Sequence, residues 1–246
     1  MPLVDVCLIS GSRPELLRST LLSFHSQLIK NLEVKKCIAN VDLFGGDERS
    51  RGECINLIRS YFPNVEIFTP RVPNLTVAVK SVWEGTTERV VLHLEDDWIL
   101  LEECSPERFI SALDDKTKAV KFYFKEKSRV LELDQQFDID WIRKKFLGIT
   151  ISKKPYNRHG TSPGFFDGDF LREWAKKMDL NYDPEKQAKP PWNPTLFEYV
   201  SRYRSKFILG TKEAELICDL GREWREGKRL TKRVVNGRSE WKKETE

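Results

Sequence analysis

Residues 89–98 read Arg-Val-Val-Leu-His-Leu-Glu-Asp-Asp-Trp, an apolar run that ends in three consecutive acids. The run is apolar at nearly every position, which is typical of a strand covered on both faces of a sheet. Adjacent carboxylates repel one another and raise each other's proton affinity, so a cation is expected beside them. The stretch therefore predicts a buried strand followed directly by an acidic turn that binds a cation.

The chain before this stretch alternates between strand and helix patterns. Strands are predicted at residues 4–10, 34–41 and 65–68, and helices at residues 14–24, 48–61 and 75–83. Pro14 and Glu15 suit a first helical turn, because proline lacks the unsatisfied N–H and the acid faces the positive end of the helix dipole. The alternation predicts an α/β fold, Rossmann-like, with a mixed, mainly parallel sheet flanked by helices. Ligands of such sheets bind at the carboxyl ends of the strands.

The second half of the chain is less regular. Helices are predicted at residues 106–113, 170–178 and 194–203, strands at 119–124, 148–152 and 164–166, a polar stretch up to residue 136 and a proline-rich loop at 189–194. We find no internal repeat and no clear domain boundary in the sequence. A single domain is therefore expected.

Composition narrows the class of protein. The 246 residues are 39% hydrophobic and 33% charged, which indicates a globular chain with a real core. No window approaches the run of about 18 apolar residues that spans a membrane, and the first strand pattern follows Met1 too closely for a signal peptide. We expect a cytoplasmic protein. The five cysteines are widely spaced without a C-x-x-C pair, which disfavours a disulfide framework and a structural zinc site.

The net charge of +4 is concentrated at the end of the chain, where residues 222–246 hold nine Lys/Arg and five Glu. A basic segment of this kind can contact the phosphates of nucleic acid or an anionic membrane surface. The other interpretation is a solvated surface helix or a frayed tail.

The acids Glu95, Asp96 and Asp97 suggest a metal site. Hard divalent ions such as Mn²⁺ or Mg²⁺ are held by one or two carboxylates together with substrate phosphates. The alternative is an exposed acidic turn or a helix N-terminus stabilised by its acids.

Two stretches resemble motifs of a known family. Residues 6–17, Val-Cys-Leu-Ile-Ser-Gly-Ser-Arg-Pro-Glu-Leu-Leu, resemble the first strand, the T-x-N-R-P-x-x-L turn and the next helix of GT-A-fold glycosyltransferases of the inverting, family-2-like group. Leu94-Glu95-Asp96-Asp97 resembles their D-x-D motif, and the resemblance extends to about Trp98. Two departures are Asp42-Leu43 in place of an acidic pair and Ser12 in place of asparagine.

The resemblance implies a metal-dependent enzyme that moves a sugar from a nucleotide-sugar, UDP-linked, to an acceptor hydroxyl with inversion. It implies a donor-binding half at residues 1–100, an acceptor-binding and catalytic half at 101–221 and a basic tail at 222–246. The donor-binding residues that it implies are Ser10, Arg13, Asp42, Lys80, Glu95, Asp96 and Arg222. The implied metal ligands are Asp97 and Glu95.

Several of these residues have simpler interpretations. Arg13 could be a surface residue, and Lys80 could belong to the solvated face of its helix. Asp219 and Arg222 could close over the donor phosphates or belong to a turn fixed by Gly221. His93 is expected in the core, whereas His159 is a candidate for a site near the donor.

An inverting transferase also needs a base on the acceptor side. By resemblance, an acid about 15 to 20 positions after the small, aromatic strand at residues 162–166 serves this role, which favours Glu185. Asp167 and Asp169 are the next candidates, and Glu198 is a further one. Asp169 could instead cap the helix that follows it.

Other functions remain open. A sugar-phosphate nucleotidyltransferase has a similar sheet, but Gly11-Ser12-Arg13 offers one glycine where its phosphate loop needs several. A non-catalytic binding module would be expected to lack the acids. The acceptor could be a saccharide, a small molecule, a lipid-linked molecule, or DNA with hydroxymethylated bases, since sugars and bases both stack on tryptophan.

Overall fold

The computed structural model describes residues 1–125, 136–146 and 149–243. Its strands are β1 (Leu3–Ser10), β2 (Glu33–Val41), β3 (Val65–Phe68), β4 (Val90–Glu95), β5 (Trp98–Leu100), β6 (Thr117–Phe122), β7 (Ile139–Phe146), β8 (Ile149–Asn157), β9 (Gly164–Asp167), β10 (Arg204–Ile208), β11 (Ile217–Asp219), β12 (Leu230–Val235) and β13 (Arg238–Lys243). Its helices are α1 (Pro14–Gln27), α2 (Glu48–Tyr61), α3 (Leu75–Glu84), α4 (Glu107–Ile110), α5 (Gly168–Lys177), α6 (Pro194–Val200) and α7 (Gly221–Gly227).

The central sheet has seven strands in the order β10-β6-β9-β4-β1-β2-β3. Within this sheet β9 runs antiparallel to both of its neighbours, and the other strands run in one direction. Strands from both sides of residue 100 share the sheet, so the described chain forms one domain. The predicted α/β fold with a mixed, mainly parallel sheet flanked by helices is confirmed.

The two faces of the sheet are covered by different helices. Side chains of a strand alternate between faces, and β1 divides its residues accordingly. Val6 and Leu8 belong to the apolar cluster that includes Leu17 and Phe24 of α1. Cys7 and Ile9 belong to a second cluster formed with residues of α3, α5 and α6, such as Trp83. Burial on both faces explains why the first strands have few polar residues.

Three pairs of strands lie outside the central sheet: β5 with β11, β7 with β8, and β12 with β13. In the first pair Asp219 lies directly opposite Trp98, which brings the end of β11 beside the acidic turn. The other two pairs are antiparallel hairpins, and within the described residues each forms a sheet of two strands only.

Some elements differ from the sequence predictions. The helix expected at 106–113 has a single turn, Glu107–Ile110. Asp114 then accepts hydrogen bonds from the N–H groups of Lys116 and Thr117 in the turn that leads to β6. The described part of the basic tail, residues 222–243, is neither a surface helix alone nor a frayed tail, because α7 is followed by the hairpin of β12 and β13. Of the polar stretch predicted up to residue 136, residues 126–135 lie outside the described residues.

The cysteines are all free, four of them buried and Cys218 half-buried. Among the helices that the structure describes, none is both long and apolar enough to cross a membrane.

Candidate active site

The carboxyl ends of β1, β2 and β4 meet at one edge of the sheet. Ile9 lies beside Glu95 and Ser10 beside Val41 in the strand register, so the residues just after these strands are neighbours. A cleft of about 830 Å³ opens at this edge. Most of the site residues expected from the sequence line it: Ser10, Arg13, Asp42, Glu95, Asp96, Asp97, Glu185 and Arg222.

Asp96 forms the buried base of the cleft. Its carboxylate accepts hydrogen bonds from the Gly11 N–H at 3.0 Å and the Arg13 Nε at 3.3 Å, and it also pairs with Arg13 Nη2. The Ser10 hydroxyl lies 3.0 Å from the same carboxylate. Burial raises the pKa of Asp96, and the Arg13 charge opposes that shift. Because these groups satisfy Asp96, its role is to hold the β1 turn and Arg13 in place.

Arg13 is itself buried. Burial alone would lower the pKa of its guanidinium, but Asp96 and Asp97 raise it above the usual value, so Arg13 is fixed as a cation. Its guanidinium carbon lies 5.3 Å from the centre of the Phe44 ring and 5.1 Å from that of Trp224. The alternative of a surface arginine is therefore excluded.

Asp97 lies further out in the cleft. Its Oδ2 atom is 3.2 Å from Arg13 Nη2 and 3.6 Å from Arg225 Nη1. Burial raises the pKa of Asp97 to about 7, and the charges of Asp96, Glu95 and Asp219 add to the shift against the opposing effect of Arg13. The positive charges of Arg13 and Arg225 therefore do not fully offset the cost of burying a negative charge on Asp97.

The start of α7 packs directly on Asp97. The Leu220 N–H donates a hydrogen bond to the Asp97 backbone carbonyl at 2.8 Å. A Cβ atom at Gly221 would lie 2.1 Å from Asp97 Oδ2. Gly221 is thus required by a close approach, and it brings Arg222 and Arg225 to the cleft.

Replacing Gly221 by alanine is expected to destabilise the protein by about 1–3 kcal/mol, because the new methyl group has no space beside a buried carboxylate. Thermal unfolding measures the loss. Gly227→Ala at the other end of the same helix is the matched control, since a Cβ atom there meets nothing within 4 Å. Equal melting temperatures for the two variants would contradict the close packing of α7 on Asp97.

Asp42 closes the wall formed by β2. Its Oδ1 atom accepts a hydrogen bond from the Phe44 N–H at 2.9 Å, and its backbone carbonyl accepts one from the Ser12 hydroxyl at 2.7 Å. Burial raises the pKa of the Asp42 carboxyl. The carboxylate lines the cleft at a position where it can accept a hydrogen bond from a bound molecule.

Glu185 lines the cleft from the second half of the chain. Its Oε1 atom accepts a hydrogen bond from the Thr161 N–H at 3.0 Å. Its own N–H donates to Asp183 Oδ1 at 3.0 Å, and Asp183 pairs with Lys232 of β12 at 3.2 Å. The loop that holds Glu185 is thus tied to the hairpin formed by β12 and β13.

That hairpin supplies cleft residues that sequence reasoning missed. Lys232 and Trp241 line the cleft, and the Trp241 ring centre lies 5.3 Å from that of Phe44. The missed signal is Asn236-Gly237, a dipeptide typical of tight β-hairpin turns; both residues have positive φ. Arg225, which also lines the cleft, had no distinguishing sequence signal among the basic residues of the tail.

Two expected site residues lie elsewhere. Lys80 donates a hydrogen bond to the Ala175 carbonyl at 2.5 Å and pairs with Glu84, so it joins α3 to α5. Asp167 lies opposite Val90, the first residue of β4, because β9 runs antiparallel. It is therefore at the far end of β4 from Glu95, where it caps α5 by accepting from the Phe170 N–H. The structure does not support a donor contact for Lys80 or a catalytic role for Asp167 in this cleft.

The other acids proposed as bases are exposed. Asp169 pairs with Arg172, and Glu198 pairs with Arg202. The capping residue of α5 is Asp167 rather than Asp169.

The two histidines that sequence analysis singled out lie in the core. His93 accepts a hydrogen bond from Trp83 Nε1 at 3.1 Å, as expected for a core residue. His159 was expected near the donor, but it is fully buried between the rings of Phe170 and Trp174. Its Nε2 atom lies 3.1 Å from the Tyr203 carbonyl.

His159 gives a prediction for acid stability. Burial, with a further effect from the Lys121 charge, lowers the pKa of His159 to about 4 from its ordinary value of 6.5. The unfolded chain therefore binds a proton that the folded chain does not between pH 6.5 and pH 4. His159 should reduce the free energy of unfolding by about 3 kcal/mol as the pH falls through this range. Below pH 4 no further loss is expected from this residue.

Urea unfolding of the wild type and of His159→Gln across this pH range tests the prediction. The pKa of Asp97 is shifted in the opposite direction, and this effect is common to both proteins. The quantity to follow is therefore the difference in free energy of unfolding between the wild type and His159→Gln. As the pH falls, the free energy of unfolding of the wild type should decrease relative to that of His159→Gln. A difference that does not change with pH would show that His159 titrates normally.

The acids of the cleft do not by themselves complete a metal site. Among the residues that the structure describes, no group of three or more His, Cys, Asp or Glu is placed to hold an ion without other ligands. Glu95 accepts a hydrogen bond from Trp98 Nε1 at 3.3 Å. Asp219 and Asp97 both lie within ion-pair distance of Arg225.

Comparison with known proteins gives the fold but no family. No protein-family model and no curated protein matches the sequence. The structure is similar to the mannosyltransferase PcManGT from Pyrobaculum calidifontis in complex with GDP-Man and Mn²⁺, with a TM-score of 0.51 and 11% identity over 86% of this chain and 55% of that one. Weaker similarities are to TarS 1-349 from S. aureus (TM-score 0.43, 10% identity, 87% of this chain and 59% of that chain) and to HddC from Yersinia pseudotuberculosis (TM-score 0.45, 10% identity, 90% and 96%).

The chain spans about half the length of the mannosyltransferase that it resembles. At 11% identity this likeness shows the fold alone. The protein has a GT-A-like α/β fold.

Proposed function

We propose that this protein is a glycosyltransferase that moves a sugar from a nucleotide-sugar, UDP-linked, to an acceptor hydroxyl with inversion at the anomeric carbon. The observation that carries the proposal is the placement of Asp97. It is a buried, incompletely compensated acid at the carboxyl end of β4, in a cleft that also contains Asp42, Arg222 and Glu185. The likeness to a mannosyltransferase solved with GDP-Man and Mn²⁺ supports it.

The turn after β1 favours this function over nucleotidyl transfer. A nucleotidyltransferase needs free N–H groups in this turn to cradle the phosphates of its substrate. Here the Gly11 N–H donates to Asp96, and the Ser12 N–H donates to the Phe44 carbonyl at 2.9 Å. With both donors used inside the protein, phosphates must be bound by side chains instead.

The acids of the cleft suit a divalent ion that is only partly held by protein. Mg²⁺ and Mn²⁺ accept one or two carboxylates when phosphate oxygens complete the coordination. Asp97 would be the principal ligand, with Asp219 or Glu95 as the second carboxylate. When bound, the ion would neutralise negative charge on the diphosphate leaving group.

Cations of the chain itself supply the rest of the charge stabilisation. Arg222, Arg225 and Lys232 line the cleft around Asp97 and Asp183. Departure of UDP concentrates negative charge on its phosphate oxygens. Cations held in a buried cleft stabilise that charge more in the transition state than in the ground state. Asp42 would accept a hydrogen bond from the nucleotide base.

Glu185 is the proposed general base. In the transfer step the acceptor oxygen forms a bond to the anomeric carbon while the bond from that carbon to the diphosphate breaks. The acceptor proton passes to the Glu185 carboxylate, and UDP leaves with the bonding electron pair. The Thr161 N–H holds Glu185 at the cleft wall for this role.

Calorimetric titration with UDP, with and without Mn²⁺, tests the donor site. Binding that requires Mn²⁺ is expected, because the phosphates complete the coordination of the ion. A protein that binds none of the uridine, guanosine or cytidine diphosphates under these conditions would contradict the proposed function. Release of pyrophosphate from UTP and a sugar 1-phosphate would instead identify a nucleotidyltransferase.

Replacing Glu185 by glutamine is expected to slow the release of UDP from UDP-glucose, with water as the acceptor, by about 10²–10⁴-fold. The affinity for UDP should not change, because glutamine can still accept the hydrogen bond from Thr161. Glu198→Gln, an exposed acid paired with Arg202, is the control. An unchanged rate in Glu185→Gln would place the base on another residue.

A further inference from the structure

Two hairpins carry the surplus positive charge of the protein. The first hairpin comprises residues 139–157, with β7 and β8, and the second hairpin comprises residues 230–243, with β12 and β13. Each contains five Lys/Arg and one acid. The net charge of the whole chain is only +4, so the remainder of the chain is net negative. Each hairpin therefore has a formal net charge of about +4, and these two segments are the basic parts of the chain.

The first hairpin places like charges against each other. Arg143 lies directly opposite Lys153 in the strand register, on the same face of the hairpin. Like charges in this relation destabilise a pair of strands. Arg143, Lys153 and Lys154 are exposed, and none has an acid within ion-pair distance in the part of the chain that the structure describes. An external anion would relieve this repulsion.

The first hairpin also exposes an aromatic ring beside these charges. Trp141 is 41% exposed and lies two residues before Arg143, on the same face. Lys154 points to the opposite face from Lys153, because successive residues of a strand alternate. The face of Lys154 also carries Tyr156, whose ring contacts Phe197 of α6. The face that is open to a partner is therefore the one with Trp141, Arg143 and Lys153.

Each hairpin adjoins the candidate active site. Arg158, the residue that follows β8, lines the cleft, as do Lys232 and Trp241 of the second hairpin. Arg233 and Lys242 extend the basic surface of the second hairpin to its exposed side. A polyanion held by both hairpins would lie at the mouth of the cleft.

We propose that the two hairpins bind the phosphate backbone of double-stranded nucleic acid and present it to the cleft as the acceptor. A two-stranded β-ribbon fits the major groove, whose walls carry phosphates on both sides, and tryptophan stacks on bases. Binding of nucleic acid is inferred from the two hairpins alone. Its role as the acceptor rests on the proposed glycosyltransferase activity. A hydroxyl group on a base would reach the anomeric carbon after the base is turned out of the helix.

Fluorescence anisotropy with a labelled DNA duplex of about two helical turns, about 20 base pairs, tests the surface. Affinity should fall steeply as salt is raised from about 50 to about 200 mM. The triple variant Arg143→Gln, Lys153→Gln, Lys154→Gln should reduce the slope of log K against log salt by about three. The matched control removes three exposed cations elsewhere, with Arg18→Gln, Arg59→Gln and Lys116→Gln, and should keep the wild-type slope.

Several results would overturn the proposal. These are binding that does not depend on salt, an equal loss in the control triple variant, and sedimentation with phosphatidylserine vesicles without binding to the duplex. The affinity for each single strand of the same duplex is measured in parallel. Tighter binding of the single strands than of the duplex would contradict a double-stranded partner.

Calorimetry with UDP and Mn²⁺ on the same samples separates this proposal from the proposed function. The first-hairpin variant should keep UDP binding while losing DNA binding. UDP binding without DNA binding in the wild type would overturn the nucleic-acid proposal and leave the donor site supported. DNA binding without UDP binding would overturn the proposed function and support the basic surface.

Discussion

Replacing Asp97 by asparagine is expected to abolish the Mn²⁺ dependence of UDP binding and to slow UDP release from UDP-glucose by about 100–1000-fold. The ion and its carboxylate stabilise the transition state by several kcal/mol, and the amide of asparagine is a poor substitute for that charge. The variant should nevertheless fold at least as well as the wild type. An ionised Asp97 is costly in its buried surroundings, and the amide removes that cost.

A loss of function together with an equal or higher melting temperature distinguishes a functional acid from a structural one. Asp169→Asn is the matched control, because this exposed acid pairs with Arg172 outside the cleft. It should leave both UDP binding and its dependence on Mn²⁺ unchanged. If Asp97→Asn binds UDP with the wild-type dependence on Mn²⁺, the proposed metal site is wrong.

Replacing Arg13 by alanine is expected to have the largest effect on stability, a loss of about 3–5 kcal/mol. Asp96 is 1% exposed, and without Arg13 it would be a buried charge with only neutral hydrogen-bond donors. Removal of one partner of a buried ion pair costs far more than the pair itself contributes. Denaturant unfolding monitored by circular dichroism measures the loss.

The double variant Arg13→Leu, Asp96→Leu checks this explanation, because it removes both charges and keeps apolar volume. It should recover a large part of the lost stability. Arg202→Ala, which breaks an exposed ion pair with Glu198, is the control and should change stability by only about 0.3–0.5 kcal/mol. An Arg13→Ala variant as stable as this control would contradict the buried pair.

The first four strands of the sheet could be predicted because their signal is local. Each of these strands contains a mostly apolar segment, and the helix after it repeats its apolar positions. The later strands are different. The direction of β9 is set by its pairing with β4 and β6, and short strands such as β11 have too few residues to show a period. The second half of the fold therefore depended on contacts that the sequence pattern does not contain.

Some residues of the candidate site could be predicted from local sequence, and others depended on long-range contacts. Ser10, Asp42 and Asp97 could be placed together because they end neighbouring parallel strands. Asp167 could not be placed correctly, because the reversal of β9 moves it to the opposite end of the sheet. Lys80 lies on the face of α3 that packs against α5. A local sequence pattern does not show which element a helix face will contact. Trp241 and Lys232 were missed because their hairpin folds back on the cleft over a long sequence distance.

The position of β9 also determines the order in which the chain can fold. The outer edge of β4 is completed when Phe166 pairs with Val91, long after β4 itself has been synthesised. Until then the first hundred residues can form a four-stranded parallel sheet with an open edge of unpaired peptide groups. A chain folded only that far would expose this edge to aggregation until the non-local pairing of β4 with β9 covers it.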